Sequence, residues 1–233
     1  MAVKPENIIY EDNHLLVYNK QVGDIVQGDK TGDMPLSEVV KAYIKERDAK
    51  PGNVFLGVTH RIDRPTTGVV IFAKTSKALE RMNALFRDGG VDKTYWAIVK
   101  KAPEKDENML VHHLSRNEKQ NKSYVFDAPK STTKEAKLRY KVICKSDNYS
   151  LVEVELLTGR HHQIRAQLSS IGSPIKGDLK YGFPRSNPDG GICLHARKVE
   201  FLHPVKKEKI TIVAPVPDDA LWQFFAKAVE KGV

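Results

Sequence analysis

The segment His60-Arg61-Ile62-Asp63-Arg64-Pro65-Thr66-Thr67-Gly68 places one carboxylate between two arginines. Neighbouring guanidinium groups favour the ionised form of a carboxylate, and an ionised, positioned Asp can serve as a nucleophile or a base. The same residues also fit a plain surface loop in which Asp63 caps a turn and both arginines are solvated. No second catalytic signature competes: the chain has no Ser-centred nucleophile elbow, no phosphate-binding glycine loop and no dinucleotide fingerprint. His60, His161, His162 and the pair His112-His113 have no carboxylate or cysteine at ligand spacing, so no metal site is expected.

The elements around the segment decide how Asp63 could be held. Val54-Phe55-Leu56-Gly57-Val58 reads as a strand running into it, and Val69-Val70-Ile71-Phe72-Ala73 as a second apolar run leaving it. Pro65 and Gly68 suit a sharp connection between the two. Upstream, Ile8-Ile9-Tyr10 and Leu15-Leu16-Val17-Tyr18 flank a turn-like Glu11-Asp12-Asn13-His14 and predict an antiparallel hairpin. Leu36, Val39, Val40, Tyr43 and Ile44 follow helical spacing from Leu36 to Arg47, with Asp33 and Pro35 as start signals. A second amphipathic helix carries Ala78, Leu79, Met82, Leu85 and Phe86 and stops at Gly89-Gly90. Val152, Val154 and Leu156 alternate with Glu153 and Glu155, the pattern of a strand with one wet face. A third helix is predicted from Arg160–Gln163 to Gly172, and a last one begins at Asp218-Asp219 and buries Leu221, Phe224 and Phe225. No repeat, low-complexity tract or long linker interrupts residues 1–233, which reads as a single domain.

Composition bounds the partner. The 38 Lys and Arg against 29 Asp and Glu give a net charge of +9, which suits a polyanion. Between Lys93 and Lys145 there are 13 basic and 6 acidic residues, so +7 of the +9 sits in one stretch, predicting a basic lobe. Solubility alone would also explain such a lobe; a role in phosphate binding would show as salt dependence. Only Cys144 and Cys193 occur, without metal or redox spacing, which argues against a disulfide scaffold and for a reducing, cytoplasmic setting. No N-terminal apolar run has the length of a signal peptide or membrane span.

The nonapeptide resembles the His-Arg-Leu-Asp signature of the RluA-type RNA pseudouridine synthases. Three further blocks match in order: Lys93-Thr94-Tyr95-Trp96-Ala97-Ile98-Val99; Leu157-Thr158-Gly159-Arg160-His161-His162-Gln163-Ile164-Arg165; and Gly177-Asp178 with Tyr181-Gly182, continuing to Leu194-His195-Ala196 and Phe201-Leu202-His203-Pro204. The resemblance reaches from about Ile8 to about Pro217. Departures are small. Ile62 replaces a commoner Leu, His161 a commoner Thr or Ser, and Lys20-Gln21-Val22-Gly23 stands where Lys-Pro-x-Gly is usual, a change expected to loosen one loop without touching the chemistry.

What the resemblance implies is an α+β fold, the pseudouridine synthase catalytic fold: a mixed, mostly antiparallel bent sheet with flanking helices and a central catalytic cleft. The catalytic pattern starts within the first ten residues, so no appended N-terminal RNA-binding domain is expected. Asp63 takes the role of catalytic carboxylate near the sugar, and a glycal route is favoured over addition to the base. Arg165 is its natural charge partner, and Tyr95 stacks on or hydrogen-bonds near a flipped uracil. Arg61 fills the gap the uridine leaves, and His60, Arg64, Lys93, Arg160 and Gln163 join it as RNA contacts. The expected partner is structured ribosomal or transfer RNA, handled by a monomer without cofactor. A non-catalytic RNA-binding protein using the same basic cleft is the competing class, and a base-releasing glycosylase is a third.

Overall fold

Side-chain periodicity accounts for most of the secondary structure of the computed structural model, which describes residues 3–28 and 32–232. The chain divides into two compact units, Met1–Val91 with Lys198–Pro215, and Asp92–Arg197 with Val216–Val233. Four α-helices and mostly antiparallel strands among the described residues make the class α+β.

In the first unit, β1 (Ile8–Glu11) and β2 (Leu15–Lys20) form the predicted hairpin. Its turn is tied by Asp12, whose Oδ1 accepts the amides of His14 and Leu15, both at 2.8 Å. β2 pairs antiparallel with β4 (Thr67–Ala73), from Leu15 opposite Ala73 to Lys20 opposite Gly68. Every residue of β2 and β4 is buried, which explains why both read as continuous apolar runs: sheet covered on both faces shows no alternation. Helix α1 (Leu36–Arg47) packs Leu36, Val40 and Ile44 against Leu16, Tyr18, Val70 and Phe72, while α2 (Ser76–Arg87) buries Ala78 and Met82. The α1 N-cap falls to Pro35, which offers no side-chain cap, and the Asp33 carboxylate lies 2.8 Å from Arg64 instead.

One expected strand is mostly not there. Only Gly57–Val58 pairs, as β3 opposite Ala73 and Phe72. Continuing that register would put residues 54–56 beyond the end of β4, where Thr75 already caps α2 by accepting the Ala78 amide. Upstream residues therefore have no ladder to join.

In the second unit the strands β5 (Val91–Val99), β9 (Ser150–Leu156), β8 (Lys134–Lys145), β6 (Glu107–Asn117) and β7 (Lys122–Phe126) lie in that order, each antiparallel to its neighbour. Val152, Val154 and Leu156 are buried and Glu153 and Glu155 are not, as their alternation predicts. Helices α3 (Gln163–Ser170) and α4 (Ala220–Glu230) supply Ile164, Leu168, Trp222 and Phe225 to the core under these strands. Asp219 caps α4 by accepting the amides of Leu221 and Trp222. Strand β10 (Leu194–Leu202) runs from this unit into the first, where Lys198–Leu202 pairs with β11 (Lys209–Val213).

The connection that carries Asp63 lies between β3 and β4. The Thr66 amide donates to the Asp63 carbonyl at 2.9 Å, closing a turn, and Gly68, at φ +112°, takes a backbone conformation that side-chain-bearing residues avoid. Beneath the turn sits Lys20, fully buried. Its ammonium donates to the carbonyls of Gln21 (2.9 Å), Arg64 (3.0 Å) and Thr66 (2.7 Å). Gln21, in the position usual for proline, does not loosen the loop. It has the amide that proline lacks, and donates it to Asp24 Oδ2 at 3.2 Å while its side chain donates to the Asn19 carbonyl.

Burial pushes the Lys20 ammonium from the ordinary 10.5 down to about 8, with Asp24 and Asp63 pulling it back up. Because the folded value is the lower one, the unfolded chain holds more protons between these limits, and Lys20 makes the fold more stable as pH rises across them. Lys20→Met should cost about 1–3 kcal/mol at pH 7, chiefly by leaving the buried Thr66 carbonyl without its donor. The gap between wild type and variant in urea denaturation should widen as pH rises from about 8 toward 10.5. A constant or shrinking gap would mean that the buried ammonium is not penalised.

Candidate active site

In the first unit Asp63 lies on its anchored turn, partly buried, with Arg61 and Arg64 exposed on either side. Arg64 Nη1 pairs with Asp33 Oδ2 at 2.8 Å. Lys20 adds a third cation, close enough for Asp63 to act on its titration. His60 serves the scaffold: its Nε2 accepts the Ile71 amide at 3.0 Å, and its ring lies 4.6 Å from that of Phe86. Thr59 Oγ donates to the Ile71 carbonyl at 2.7 Å, so the start of the connection is stitched to β4 by two bonds at Ile71.

In the second unit Tyr95 lies on β5 and Arg165 in the first turn of α3. Both Arg165 and Asp178 are buried, and they form a bidentate pair, Nε to Oδ2 at 2.7 Å and Nη2 to Oδ1 at 2.9 Å. The matched fork fixes the guanidinium plane, while the Arg165 guanidinium carbon lies 5.1 Å from the centre of the Tyr181 ring. Asp178 thus engages the one edge of the guanidinium that carries Nε and Nη2.

Helix α3 starts in an unusual way. His162, its N-cap, has the left-handed φ of +53°, a conformation that costs a side-chain-bearing residue roughly 1–2 kcal/mol. A chain of hydrogen bonds holds it. The Ser123 amide donates to Tyr181 Oη at 2.8 Å, which leaves the Tyr181 proton for His162 Nδ1 at 3.0 Å. Ser123 Oγ donates to the His161 carbonyl at 2.7 Å, and the two imidazoles stack with centroids 3.7 Å apart. Burial, with the Arg165 charge beside it, pushes His162 down to about 2, so it is neutral and accepts as the network requires.

The remaining nominated residues divide by exposure. Gln163 is 3% exposed, and its amide is consumed: Oε1 accepts from Thr158 Oγ (2.8 Å) and the Arg160 amide (3.0 Å), and Nε2 donates to the Lys137 carbonyl (3.0 Å). It holds the start of α3 rather than facing a ligand. Arg160 is exposed and donates from Nε to the Glu135 carbonyl at 2.9 Å. Lys93 is partly buried, and burial lowers its ammonium from the ordinary lysine value. Sequence reasoning assigned no role to Lys20, Asp178 or Tyr181. The signal for Lys20 was a lysine ending an otherwise uncharged, mostly apolar strand, and for the other two their place in one matched block. No group of three or more His, Cys, Asp or Glu that could hold a metal ion occurs among the described residues. No helix among them is long and apolar enough to cross a membrane.

The family model for RNA pseudouridylate synthase matches residues 14–170, the span that holds Asp63, Tyr95 and Arg165. Ribosomal large subunit pseudouridine synthase C of Vibrio cholerae is 34% identical over 215 residues, covering 90% of this chain and 65% of that protein. Ribosomal large subunit pseudouridine synthase D of Xylella fastidiosa is 32% identical over 231 residues, covering 92% and 67%. This chain therefore spans about two thirds of the length of these relatives. Human RNA Pseudouridylate Synthase Domain Containing 4 shares the fold with a TM-score of 0.79 at 24% identity, covering 97% of this chain and 92% of that one. Human RNA Pseudouridylate Synthase Domain Containing 1 does so with 0.72 at 23%, covering 93% and 85%. With four ordered motif blocks, a family match over most of its length and relatives above 30% identity, the chain belongs to the RNA pseudouridylate synthase family.

Proposed function

We propose that this chain converts uridine to pseudouridine in ribosomal RNA, with Asp63 as the catalytic carboxylate. The observation that carries the proposal is the family match across residues 14–170, which encloses the three residues the chemistry requires. The relatives named as ribosomal large subunit enzymes support ribosomal RNA as the substrate; transfer RNA is the second choice. In this reading the bond from the ribose C1′ to uracil N1 breaks, the base turns over, and C1′ joins C5. The C5 hydrogen leaves as a proton and N1 gains one, so the reaction is an isomerisation with no net redox change. Asp63 as base removes the 2′ proton as the C1′–N1 bond breaks and returns it to C2′ when C5 bonds to C1′ of the glycal, Arg165 supplies the opposing charge, and Tyr95 keeps its ring against the uracil as it rotates. Arg61, Arg64, Lys93 and Arg160 meet the RNA around the flipped nucleotide.

The Arg165–Asp178 pair gives the proposal a geometric requirement. A lysine at position 165 would keep the charge but lose the flat fork that Asp178 orients.

Two measurements test the reading. Purified protein incubated without cofactor with RNA tritiated at uracil C5 should release tritium to water. Asp63→Asn should release none while binding the same RNA within a few-fold of wild type. Turnover by that variant would remove Asp63 from its role, and free uracil as the product would point to a glycosylase. In single-turnover kinetics, Arg165→Lys should be slowed roughly 100-fold with near-normal RNA affinity, its folding checked by thermal melting. A nearly wild-type rate would show that charge alone suffices and that the bidentate geometry is incidental.

A further inference from the structure

The second unit leaves one face of its sheet open over β6, β7 and β8. Leu110 and Leu114 of β6, Ser123 of β7, and Ala136, Leu138 and Tyr140 of β8 are buried on the helix-covered side. The alternate residues point the other way, leaving Met109 42%, Val111 45% and Tyr124 41% exposed, with Phe126 partly so. Strand register gathers them into one surface: Tyr124 opposes Ser115, Phe126 opposes His113, Val111 opposes Lys137, and Met109 opposes Arg139. An open apolar patch of this kind on a folded protein marks a contact surface.

Its chemistry points to single-stranded nucleic acid. Tyr124 and Phe126 lie two residues apart on one strand, about 7 Å, and within Lys122-Ser123-Tyr124-Val125-Phe126 they repeat the Lys-x-Tyr-x-Phe spacing with which RNA-recognition sheets stack successive bases. Lysines attend both rings: Lys130 Nζ is 3.9 Å from the Phe126 centroid, and Lys122 Nζ lies at the edge of the face between Tyr124 (5.6 Å) and the buried Tyr181 (5.3 Å). The acids on the face are largely offset, Glu135 by Lys137 at 2.8 Å and Glu155 by Arg139 at 2.6 Å. From Ser115 to Lys134 there are five basic residues (Arg116, Lys119, Lys122, Lys130, Lys134) against Glu118 and Asp127, so the surface is cationic as well as aromatic. That combination favours a polyanion with flat bases over an apolar protein partner.

The platform is also rigid. The inward side of β7 is pinned by the Ser123 bonds to Tyr181 and His161, and Lys180 Nζ donates to the carbonyls of Gln120 and Asn121 at 3.1 Å in the β6–β7 turn. The network that sets the start of α3 therefore also fixes the aromatic strand. Tyr95 belongs to the opposite face, since it opposes Val154, which opposes Tyr140.

We propose that this open face, with Tyr124 and Phe126 as stacking rings and Lys122 and Lys130 as phosphate partners, holds a single-stranded segment of substrate RNA away from the reacting uridine. The proposal rests on the reading that RNA is the substrate. A fluorescein-labelled oligouridylate of about ten nucleotides, which two stacked bases and flanking phosphates require, is titrated with the full chain and followed by anisotropy across a salt series. Tyr124→Leu with Phe126→Leu keeps the surface apolar but removes both rings; it should weaken binding roughly tenfold or more and leave the salt slope unchanged. Lys122→Gln with Lys130→Gln should flatten the slope by about 1.4, two phosphate contacts on a single strand. Wild-type affinity in the double-leucine variant, or no oligouridylate binding by the wild type, overturns the platform and leaves the face to a protein partner. Tritium release with ring-independent binding sinks only this inference. Ring-dependent binding without tritium release sinks only the isomerase reading.

Discussion

Burying an ion pair removes two charges from water, a loss recovered only where the geometry is close to ideal and the remaining polar atoms are satisfied. Arg165 and Asp178 meet that condition with a matched, bidentate pair that is almost wholly buried. The surrounding features serve this constraint. Tyr181 lays its ring beside the guanidinium, His162 stays neutral beside a fixed cation, and Ser123 supplies the amide that sets the Tyr181 proton. A helix that begins in a left-handed conformation is the local cost of bringing Arg165 into the pair within the first turn.

The first unit solves a related problem by different means. Asp63 lies on an irregular connection, where the backbone carbonyls have no ladder partners of their own. Lys20 satisfies two of them and adds positive charge beneath the turn. A lysine suits this position because the three hydrogens of one compact ammonium point in three directions, whereas the donors of a guanidinium all lie in one plane. Both units thus hold a buried cation from a regular element against acceptors on a loop: Lys20 orders the loop carbonyls, while Asp178 on its loop orders the Arg165 guanidinium.

Much of the fold was legible in the residues because the periodic elements are long. The α1 limits, the β1–β2 hairpin and the one-sided β9 follow from spacing alone. The strand expected at Val54–Val58 shrank to Gly57–Val58 because a strand needs a partner, and β4 had ended. The loop at Gln21 read as loosened because proline was missing, whereas the added amide found an acceptor in Asp24. Asp33 looked like a helix cap until Arg64, distant in sequence, was brought within 2.8 Å.

By itself the sequence determined the family, the identity of Asp63, Tyr95 and Arg165 as the residues to examine, and the cationic stretch from Lys93 to Lys145. These are properties of residue type and order, which motif spacing records directly. Only the tertiary structure decided that Arg165 is oriented by Asp178, that Gln163 is spent on the backbone, that Lys20 lies under the Asp63 turn, and that Tyr124 and Phe126 share an open face. Each of these depends on a pairing between distant segments or on strand register, and a local pattern carries no information about which distant group satisfies a buried charge.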